Sequence, residues 1–509
     1  MKKELSLKEK IGQMLCFAFH GETYNDQIKE LVEEIKVGGL IYFARNIKNN
    51  NQVTILNQLI QESAKTPVFI GIDQEGGLVQ RITKDITPFP GAMSLSATYE
   101  SNFEICRFVG EDLKKLGFNI NFAPVADVNS NPYNPVINSR SYSDNKEIVS
   151  KYVNDAVDGF TKANVLTTVK HFPGHGDTHV DSHLSLPIVN KSFTELENVD
   201  IYPFKKAIEH GAEGIMLSHV LYENMDNEYP ASLSKKIIND YLKEKLNFKG
   251  LVVTDSLTMG AINNNYSKRE IVELAVNAGV DLLIFCGKAD INDQREIFKE
   301  FIDLVEKGII PIERINESVE KILKLKEKYC SNEDTKKGEN ELKNDAKKKL
   351  ELAKKLSLNS ITLVQNQNNL VPVKACECLV LFPIIKLATL VDNETNDYTT
   401  LGNFLKSNEI LYDENLENID EIKEQSKDYK KIIFCTYNVK EDDYQTKLYN
   451  QLQKEKVIVV SMRSPYDYLY LNNYGAHICI YEATSLAYES LSLCLLGVEK
   501  FKGKLPIKK

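Results

Sequence analysis

The sequence predicts an α/β protein with an N-terminal barrel of eight parallel strands and a smaller α/β layered domain behind it. Three observations lead to this fold class. The first 330 residues alternate short apolar runs with amphipathic helical stretches, and the alternation occurs eight times. A charged segment then interrupts the pattern, and a second alternation follows it. The length of 509 residues is also too great for one ordinary hydrophobic core, so two domains are expected.

The eight strand-like runs are dominated by apolar residues, as is typical of parallel strands that are buried on both faces. They are MLCFAF (14–19), GLIYFAR (39–45), PVFIGID (67–73), INFAPVADV (120–128), LTTVKHF (166–172), GIMLSHV (214–220), GLVVTDS (250–256) and DLLIFC (281–286). Helix-like segments separate them, and glycines close several of these helices. Eight such units favour a closed (β/α)8 TIM-type barrel over residues 1–330, although an open doubly wound sheet uses the same repeat.

The second part of the chain begins with a change of composition. Residues 331–350, SNEDTKKGENELKNDAKKKL, carry almost no apolar side chain and predict a charged linker. Residues 351–509 then open with a helical stretch, LELAKKLSLNS, and continue with the strand-like runs ITLVQN, CLVLFPI, KIIFCTYN, VIVVSM and HICIYE. Helical stretches separate most of these runs, so we expect a smaller α/β layered domain.

Composition and charge exclude several kinds of partner. The formal net charge of −9 lacks the basic footprint that phosphate backbones require, so no nucleic-acid partner is expected. No apolar run approaches the roughly 20 residues that a membrane span needs. The first residues, MKKELSLKEK, are too highly charged for a secretory signal. We therefore expect a cytoplasmic protein that does not bind membranes, while its oligomeric state stays open.

Ionisable residues collect at the predicted C-terminal ends of the strands, where barrels of this kind place their active sites. They follow strands 3 to 7 and are Asp73, Asp127, Lys170, His171, His219 and Asp255. Any one of them is compatible with an ordinary polar loop. Five strands that bring ionisable groups to one rim indicate a catalytic site.

The segment KHFPGHGDTHVDSH (170–183) carries histidines at intervals of four residues, a spacing that would align zinc ligands on a helix. Pro173, Gly174 and Gly176 interrupt it, however, and a helix does not run comfortably through such residues. A catalytic zinc needs three converging ligands, and the spacing does not supply them without a helix. We therefore expect neither a metal nor another cofactor, and we interpret the segment as a long loop that carries an acid/base group.

Asp181 and His183 stand two residues apart in that loop. A carboxylate beside an imidazole fixes its tautomer and stabilises its protonated form, which makes the histidine a usable proton donor near neutral pH. Asp255, at a rigid strand end, is a candidate nucleophile. The alternative is that Asp181-Ser182-His183 is an ordinary loop pattern.

Together, these motifs resemble glycoside hydrolase family three, specifically its bacterial β-N-acetylglucosaminidase branch. The matching stretches are GIDQEGGLVQRI (71–82), NFAPVADVN (121–129), SRSYS (139–143), KHFPGHGDTHVDSHLSLP (170–187), MLSHV (216–220), PASLS (230–234) and GLVVTDSLTMGAI (250–262). The resemblance continues through LVQNQNNLVPV, MRSPYDY and GKLPI in the second domain.

The resemblance implies a retaining hydrolase that releases a terminal sugar in two displacement steps. Asp255 matches the nucleophile of the family, His183 matches the proton donor of this branch, and Asp181 matches the carboxylate that assists the donor. This arrangement differs from the usual pair of catalytic carboxylates in glycosidases.

The resemblance also implies a set of substrate contacts. They are Asp73, Arg140, Lys170 and His171, and His219 lies at the same predicted rim. A carboxylate accepts hydrogen bonds from sugar hydroxyls, while lysine and arginine donate to sugar oxygens. In one departure, Leu78 stands where the family usually has arginine after DQEGG, which we expect to loosen a contact in that turn. In another, Asn138 and Ser139 precede Arg140 where a glycine is common nearby.

Three functions are compatible with these residues. The first is an exo-acting hydrolase that releases β-linked N-acetylglucosamine (GlcNAc) from cell-wall muropeptides or chitin oligomers. The second is a phosphorylase with the same site, since a histidine donor carries no negative charge to repel phosphate. The third is an inactive sugar-binding protein, which the presence of Asp181, His183 and Asp255 disfavours. The aglycone and the role of the second domain stay open.

Overall fold

The computed structural model describes residues 5–182, 184–331, 339–386 and 399–508. All eight predicted barrel strands form, and strand 5 is interrupted at Thr168. They are Leu15–Ala18, Gly39–Tyr42, Phe69–Ile72, Ile120–Asn121, Leu166–Thr167 with Val169–Phe172, Gly214–Leu217, Leu251–Ser256 and Leu282–Phe285. All their pairings are parallel.

The sheet closes through strand 5. Its strand order runs from the first half of strand 5 through strands 4, 3, 2, 1, 8, 7 and 6 to the second half of strand 5. Leu166–Thr167 pairs with strand 4, and Val169–Phe172 pairs with strand 6. Because the two halves of one strand occupy both ends of the sheet, the strands form a barrel. The predicted fold class is confirmed.

Helices connect successive barrel strands, and the longer ones bury one apolar face. The helix Asn50–Ser63, for example, buries Val53, Leu56 and Ile60, which are three and four positions apart. The helical segments of this part of the chain are Leu7–Gln13, Asp26–Lys29 continued by Glu30–Ile35, Asn50–Ser63, Ala92–Ala97, Phe103–Lys115, Lys146–Lys162, Phe193–Glu195 continued by Leu196–Asp200, Tyr202–His210, Lys236–Lys245, Gly260–Asn263, Lys268–Ala278, Ile291–Glu306 and Ile312–Tyr329. Two short strand pairs lie outside the barrel sheet: Gln74–Gly76 with Val79–Gln80, and Ile188–Val189 with Leu221–Tyr222.

The second domain is a six-stranded sheet between helices. In spatial order its strands are Thr362–Asn366, Ala476–Cys479, Val457–Ser461, Lys431–Thr436, Cys378–Pro383 and Asn408–Tyr412, and only the first pair is antiparallel. Its helices are Glu339–Ser360, Leu401–Leu405, Ile419–Asp428, Tyr444–Tyr449 and Ser485–Leu495. The first of these helices begins inside the predicted linker, of which residues 332–338 lie outside the described residues.

Each face of this sheet has its own core. Val380 and Phe382 contribute to a cluster that includes Leu491 of the last helix. The alternate residues Leu379 and Leu381 point to the other cluster, beneath the helices Ile419–Asp428 and Tyr444–Tyr449. Because successive side chains of a strand point to opposite faces, the alternation produces a three-layer α/β arrangement.

The second domain packs beside the C-terminal rim of the barrel. Asn129, which follows strand 4, donates a hydrogen bond to the Tyr466 hydroxyl at 3.1 Å. Asn138 donates to the Ser464 hydroxyl at 3.2 Å. Met93 packs in one small buried cluster with Tyr481. Segments that follow strands of the second domain therefore meet segments that follow barrel strands 3 and 4.

Within the described ranges, no helix combines the length and the apolar character that crossing a bilayer requires.

Candidate active site

Four charged side chains at the C-terminal rim form one network of ion pairs. Lys170 Nζ lies 2.9 Å from Asp73 Oδ1 and 2.7 Å from Glu75 Oε1. Arg140 donates through Nε to Glu75 Oε2 at 2.9 Å and through Nη2 to Glu75 Oε1 at 2.8 Å. Strands 3 and 5 and the loop after strand 4 therefore converge on the Glu75 carboxylate.

The charges in this network depend on one another because its members are buried. Burial alone would raise the pKa of Glu75, yet the charges of Arg140 and Lys170 hold it below its usual range. Burial likewise opposes the charged form of Lys170, but Asp73 and Glu75 raise its pKa above the ordinary value. Glu75 and Lys170 therefore stay ionised at neutral pH, and the network presents fixed donors and acceptors for hydroxyl groups.

His171 is held by the carboxylate of Asp127, which lies beyond the end of strand 4. Its Nδ1 is 2.7 Å from Asp127 Oδ2, and its backbone N–H donates to Asp127 Oδ1 at 3.1 Å. Asp127 is fully buried, and its ion pair and hydrogen bond with His171 outweigh the opposing effect of burial and lower its pKa. Two contacts to one carboxylate fix both the position and the orientation of the His171 ring.

Asp255 is the penultimate residue of strand 7 and lies beside this ring. Its Oδ2 is 4.0 Å from His171 Nε2, and its Oδ1 accepts a hydrogen bond from the Ser256 backbone N–H at 2.6 Å. Its side chain is 27% exposed, whereas those of Lys170 and Glu75 are 3% and 5% exposed. Asp255 is thus an accessible carboxylate at the edge of a buried polar wall.

His219 supports the backbone next to Asp255. Its Nε2 is 2.9 Å from the Ser256 carbonyl oxygen, and its Nδ1 is 2.8 Å from the Ser232 hydroxyl. Because a carbonyl only accepts, Nε2 carries the proton and Nδ1 accepts from Ser232. His219, a predicted substrate contact, therefore lies at the rim. Both of its ring nitrogens are hydrogen-bonded to protein groups, one of which is the backbone of strand 7.

His171, His175 and His179 do not share a helix face, because the described residues 173–182 form a loop, as predicted. The His175 backbone N–H donates to Asp127 at 2.7 Å, and its ring contacts Thr178 Oγ1 at 2.9 Å and Ser182 Oγ at 3.1 Å. Burial lowers the pKa of His175 to about 4, so this ring is neutral at pH 7. The His175 ring therefore stabilises the loop through contacts with two other residues of the same loop, Thr178 and Ser182.

Two further contacts hold the same loop against the loop after strand 4. A side chain at Gly176 would lie 1.7 Å from the Val128 carbonyl oxygen, so only glycine allows this approach. Asn131 Nδ2 lies 3.2 Å from His179 Nδ1, and Asn131 also donates to the Thr178 carbonyl at 3.1 Å. Among the residues that the structure describes, no group of three His, Cys, Asp or Glu residues is arranged to hold a metal ion.

The predicted acid/base residue His183 lies outside the described residues. Before it, the Asp181 carbonyl accepts hydrogen bonds from the backbone of Leu184 at 3.0 Å and of Ser185 at 3.2 Å. The Ser182 carbonyl accepts from Ala261 at 3.2 Å. Ala261 follows strand 7, so the loop that carries Asp181 is attached to the segment just beyond Asp255.

Three residues of this site, Glu75, Arg81 and Asp127, received no role from the sequence. Glu75 had a detectable signal, because residues two apart in an extended segment share a face, as Asp73 and Glu75 do toward Lys170. Arg81 Nη2 lies 3.6 Å from Asp73 Oδ2, and only its place in the matching stretch GIDQEGGLVQRI (71–82) pointed to it. Asp127 appeared as a strand end, but its contact with His171 depends on how strands 4 and 5 pair.

The chain is similar to proteins of known family over both of its domains. The model of the glycosyl hydrolase family 3 N terminal domain matches residues 6–325. The beta-hexosaminidase A of Pseudoalteromonas piscicida is 31% identical, over 95% of this chain and 91% of its own length. The structure of a glycoside hydrolase family 3 beta-N-acetylglucosaminidase from Paenibacillus sp. str. FPU-7 superposes with a TM-score of 0.93, is 35% identical and covers 99% of each chain.

A shorter relative matches in a different way. The beta-hexosaminidase of Xylella fastidiosa (strain M23) is 29% identical, and the match takes up 92% of that relative but 58% of this chain. The match to the family model covers more than half of the chain, and the Pseudoalteromonas relative matches almost all of it at 31% identity. The chain therefore belongs to glycosyl hydrolase family 3.

Proposed function

We propose that the chain is a retaining exo-β-N-acetylglucosaminidase. The observation that carries the proposal is the position of Asp255, an accessible carboxylate whose Oδ2 lies 4.0 Å from His171 Nε2 at the edge of a buried polar wall. The similar proteins from Pseudoalteromonas and Paenibacillus are named as a hexosaminidase and an N-acetylglucosaminidase, which supports an N-acetylated amino sugar as the terminal unit.

The polar wall suits a terminal sugar. Asp73 accepts hydrogen bonds from hydroxyls, while Lys170 and Arg140 donate to sugar oxygens. Glu75 keeps both cations in place, and Asp127 keeps the His171 ring in place. Because these groups are already fixed before substrate arrives, little orientational freedom is lost when the sugar binds.

The first chemical step transfers the sugar to Asp255. One carboxylate oxygen forms a bond to the anomeric carbon while the bond from that carbon to the leaving oxygen breaks. His183 donates a proton to the leaving oxygen, so the aglycone departs as a neutral alcohol. In the second step His183 removes a proton from water, water attacks the anomeric carbon, and Asp255 is released as a carboxylate. Two inversions return the β-anomer.

Asp181 has the role of stabilising the protonated His183 in this scheme. A carboxylate two residues from an imidazole raises the population of the charged form and selects one tautomer. The attachment of Ser182 to Ala261 supports this assignment, because it ties the loop to the segment that follows the nucleophile.

The decisive comparison uses two aryl glycosides that differ only at the second carbon of the sugar. We expect turnover of aryl β-N-acetylglucosaminide to exceed that of aryl β-glucoside by at least about 100-fold, since an acetamido contact in the site is worth several kcal/mol. Equal rates would remove the amino-sugar specificity. Among natural substrates we expect chitin oligomers and muropeptides in the cytoplasm, each shortened from the non-reducing end.

The acceptor is tested in the same assay. With water as acceptor, free GlcNAc forms at a rate that phosphate does not change. A phosphate-dependent rise in turnover, with a sugar phosphate as the product, would instead identify the enzyme as a phosphorylase.

A further inference from the structure

The second domain touches the hairpin that carries Glu75, and this contact has no part in the chemistry above. The hairpin consists of Gln74–Gly76 and Val79–Gln80. Leu78, in its turn, packs against the hydrophobic cluster of the second domain that contains Val380 and Ile433. The turn that we expected to be loosened by the absence of arginine is instead covered by the other domain.

Glu482 makes a second contact with the same region. This residue lies three positions beyond the strand Ala476–Cys479, and its Oε2 accepts a hydrogen bond from the Gly91 backbone N–H at 2.7 Å. A side-chain carbon at Gly77 would lie 2.8 Å from this oxygen, and Gly77 has a φ of +58°. Glycine at position 77 therefore lets the Glu482 carboxyl reach the turn of the hairpin.

Glu482 also shares a cavity with the charged network of the sugar site. The cavity is small and lies between the two domains. Its walls include Glu75 and Arg140 from the barrel and Tyr481 and Glu482 from the second domain. The second domain thus borders the ion pair of Glu75 and Arg140.

We propose that Glu482 is a positioning residue for substrate binding. By holding the turn of the hairpin, it fixes Glu75, and Glu75 in turn holds Lys170 and Arg140 where they contact the sugar. The inference rests on the proposed function, because that function assigns sugar binding to the two cations. It gives the second domain a role in the affinity of the barrel for its substrate.

Leu78, in the turn of the hairpin, fits this role. The resemblance to the family implies an arginine at this position, directly after DQEGG. An arginine there would bring a charge against the apolar cluster of the second domain, at a high desolvation cost. Leucine at position 78 is therefore suited to a hairpin that a second domain covers.

The hydrogen bond that Glu482 accepts does not depend on a full negative charge. Burial raises the pKa of Glu482 to about 7, although the Gly91 N–H and the Ser94 side chain oppose the rise. Glutamine has nearly the same shape and offers the same carbonyl oxygen as an acceptor. The conservative variant should therefore preserve the contact with Gly91, whereas alanine removes it.

The test compares Glu482→Ala with Glu482→Gln in the full-length enzyme, and Glu489→Ala serves as the matched control. Glu489 belongs to the same domain but forms an exposed ion pair with Lys354. For aryl β-N-acetylglucosaminide we expect KM to rise about tenfold in Glu482→Ala, the size of one lost hydrogen bond, while kcat stays within about twofold. KM should return close to the wild-type value in Glu482→Gln and should not change in the control.

Leu78→Arg tests the same connection from the hairpin and covers the case in which Glu482→Ala fails to fold. A rise in KM of about tenfold at unchanged kcat is again expected. A folded variant at either position with the wild-type KM would overturn the positioning role, and so would a Glu482→Gln variant as impaired as the alanine variant. If the wild-type enzyme does not cleave the glycoside, the proposed function fails. If the wild-type enzyme cleaves it and the variants have the same KM, only the positioning role of Glu482 fails.

Discussion

The Nδ1 atom of His171 lies 2.7 Å from Oδ2 of Asp127, a carboxylate that is fully buried beneath the site. Asp127 also accepts hydrogen bonds from the backbone N–H groups of His171 and His175. One carboxylate therefore fixes the imidazole next to the proposed nucleophile and the start of the loop that leads to the proposed acid/base residue. Changes at Asp127 should affect catalysis even though it does not line the opening of the site.

We expect Asp127→Asn to lower kcat/KM for aryl β-N-acetylglucosaminide by about 10- to 100-fold. Hydrogen bonds to a charged acceptor contribute about 1.5–3 kcal/mol each, and the amide cannot accept all three of them in the same way. Asp158→Asn is the matched control, since Asp158 pairs with His210 at the surface. Wild-type kinetics in Asp127→Asn would show that His171 needs no such partner.

Glu75→Gln should lower both stability and substrate affinity. It leaves Arg140 beside a neutral amide and Lys170 with the Asp73 carboxylate but without that of Glu75. Loss of one member of a buried ion pair costs about 3–5 kcal/mol of unfolding free energy. Glu104→Gln, which weakens an exposed pair with Arg107, should change it by less than about 0.5 kcal/mol. Denaturant unfolding measures the unfolding free energy of both variants. A Glu75→Gln protein as stable as the wild type would contradict the importance of the network.

His175 should make stability fall in mild acid. Its pKa is about 4 in the folded protein, below the ordinary value of 6.5, because burial disfavours the charged ring. Between these values the unfolded chain binds a proton that the folded protein does not, so the folded state loses stability as pH falls from about 6.5 to about 4. Above this range the contribution is constant.

The variant His175→Gln isolates this effect. At pH 7 it should be less stable than the wild type, because the contacts with Thr178 and Ser182 are altered. The gap in unfolding free energy should then narrow as the pH is lowered through the range. Unfolding curves that keep the same gap at every pH would show that His175 is not buried in its neutral form.

The fold was predictable because its signal is local. Runs such as GLVVTDS are apolar throughout, and eight of them at regular intervals suffice to predict a parallel barrel. Asp73, Lys170, His171 and Asp255 were predictable as rim residues for the same reason, since strand ends are visible in the sequence. Their proximity in the structure follows from the closure of the barrel.

What could not be predicted depends on contacts between distant segments. Asp127 is 44 positions from His171, and Glu482 is 391 positions from Gly91. No periodicity encodes such pairs. The apparent anomaly at Leu78 has the same origin: a leucine in a polar turn makes sense only once the second domain is seen to cover it.

The two roles proposed for His183 can be separated with substrates that differ in their leaving group. A dinitrophenyl group needs little proton assistance, whereas a sugar needs a great deal. We expect His183→Ala to nearly abolish cleavage of a GlcNAc disaccharide but to spare formation of the glycosyl-enzyme from the dinitrophenyl glycoside. Hydrolysis of that intermediate should then limit turnover, because no base activates water.

Azide provides the corresponding rescue, since it attacks without losing a proton. Added azide should restore turnover of the dinitrophenyl glycoside by His183→Ala and give the β-glycosyl azide. Asp181→Ala should show a milder form of the same pattern, because the imidazole remains but lacks its carboxylate. Equal slowing of both substrates without azide rescue would assign His183 a binding or structural role.

The most direct test of the proposed mechanism is to trap the glycosyl-enzyme. A fluorinated N-acetylglucosaminide that forms the intermediate quickly and hydrolyses slowly should add one sugar mass to the intact protein. Peptide mapping should then find the sugar on Asp255, and Asp255→Asn should take up none. A label on any other carboxylate, or stoichiometric labelling of Asp255→Asn, would contradict the assignment of the nucleophile.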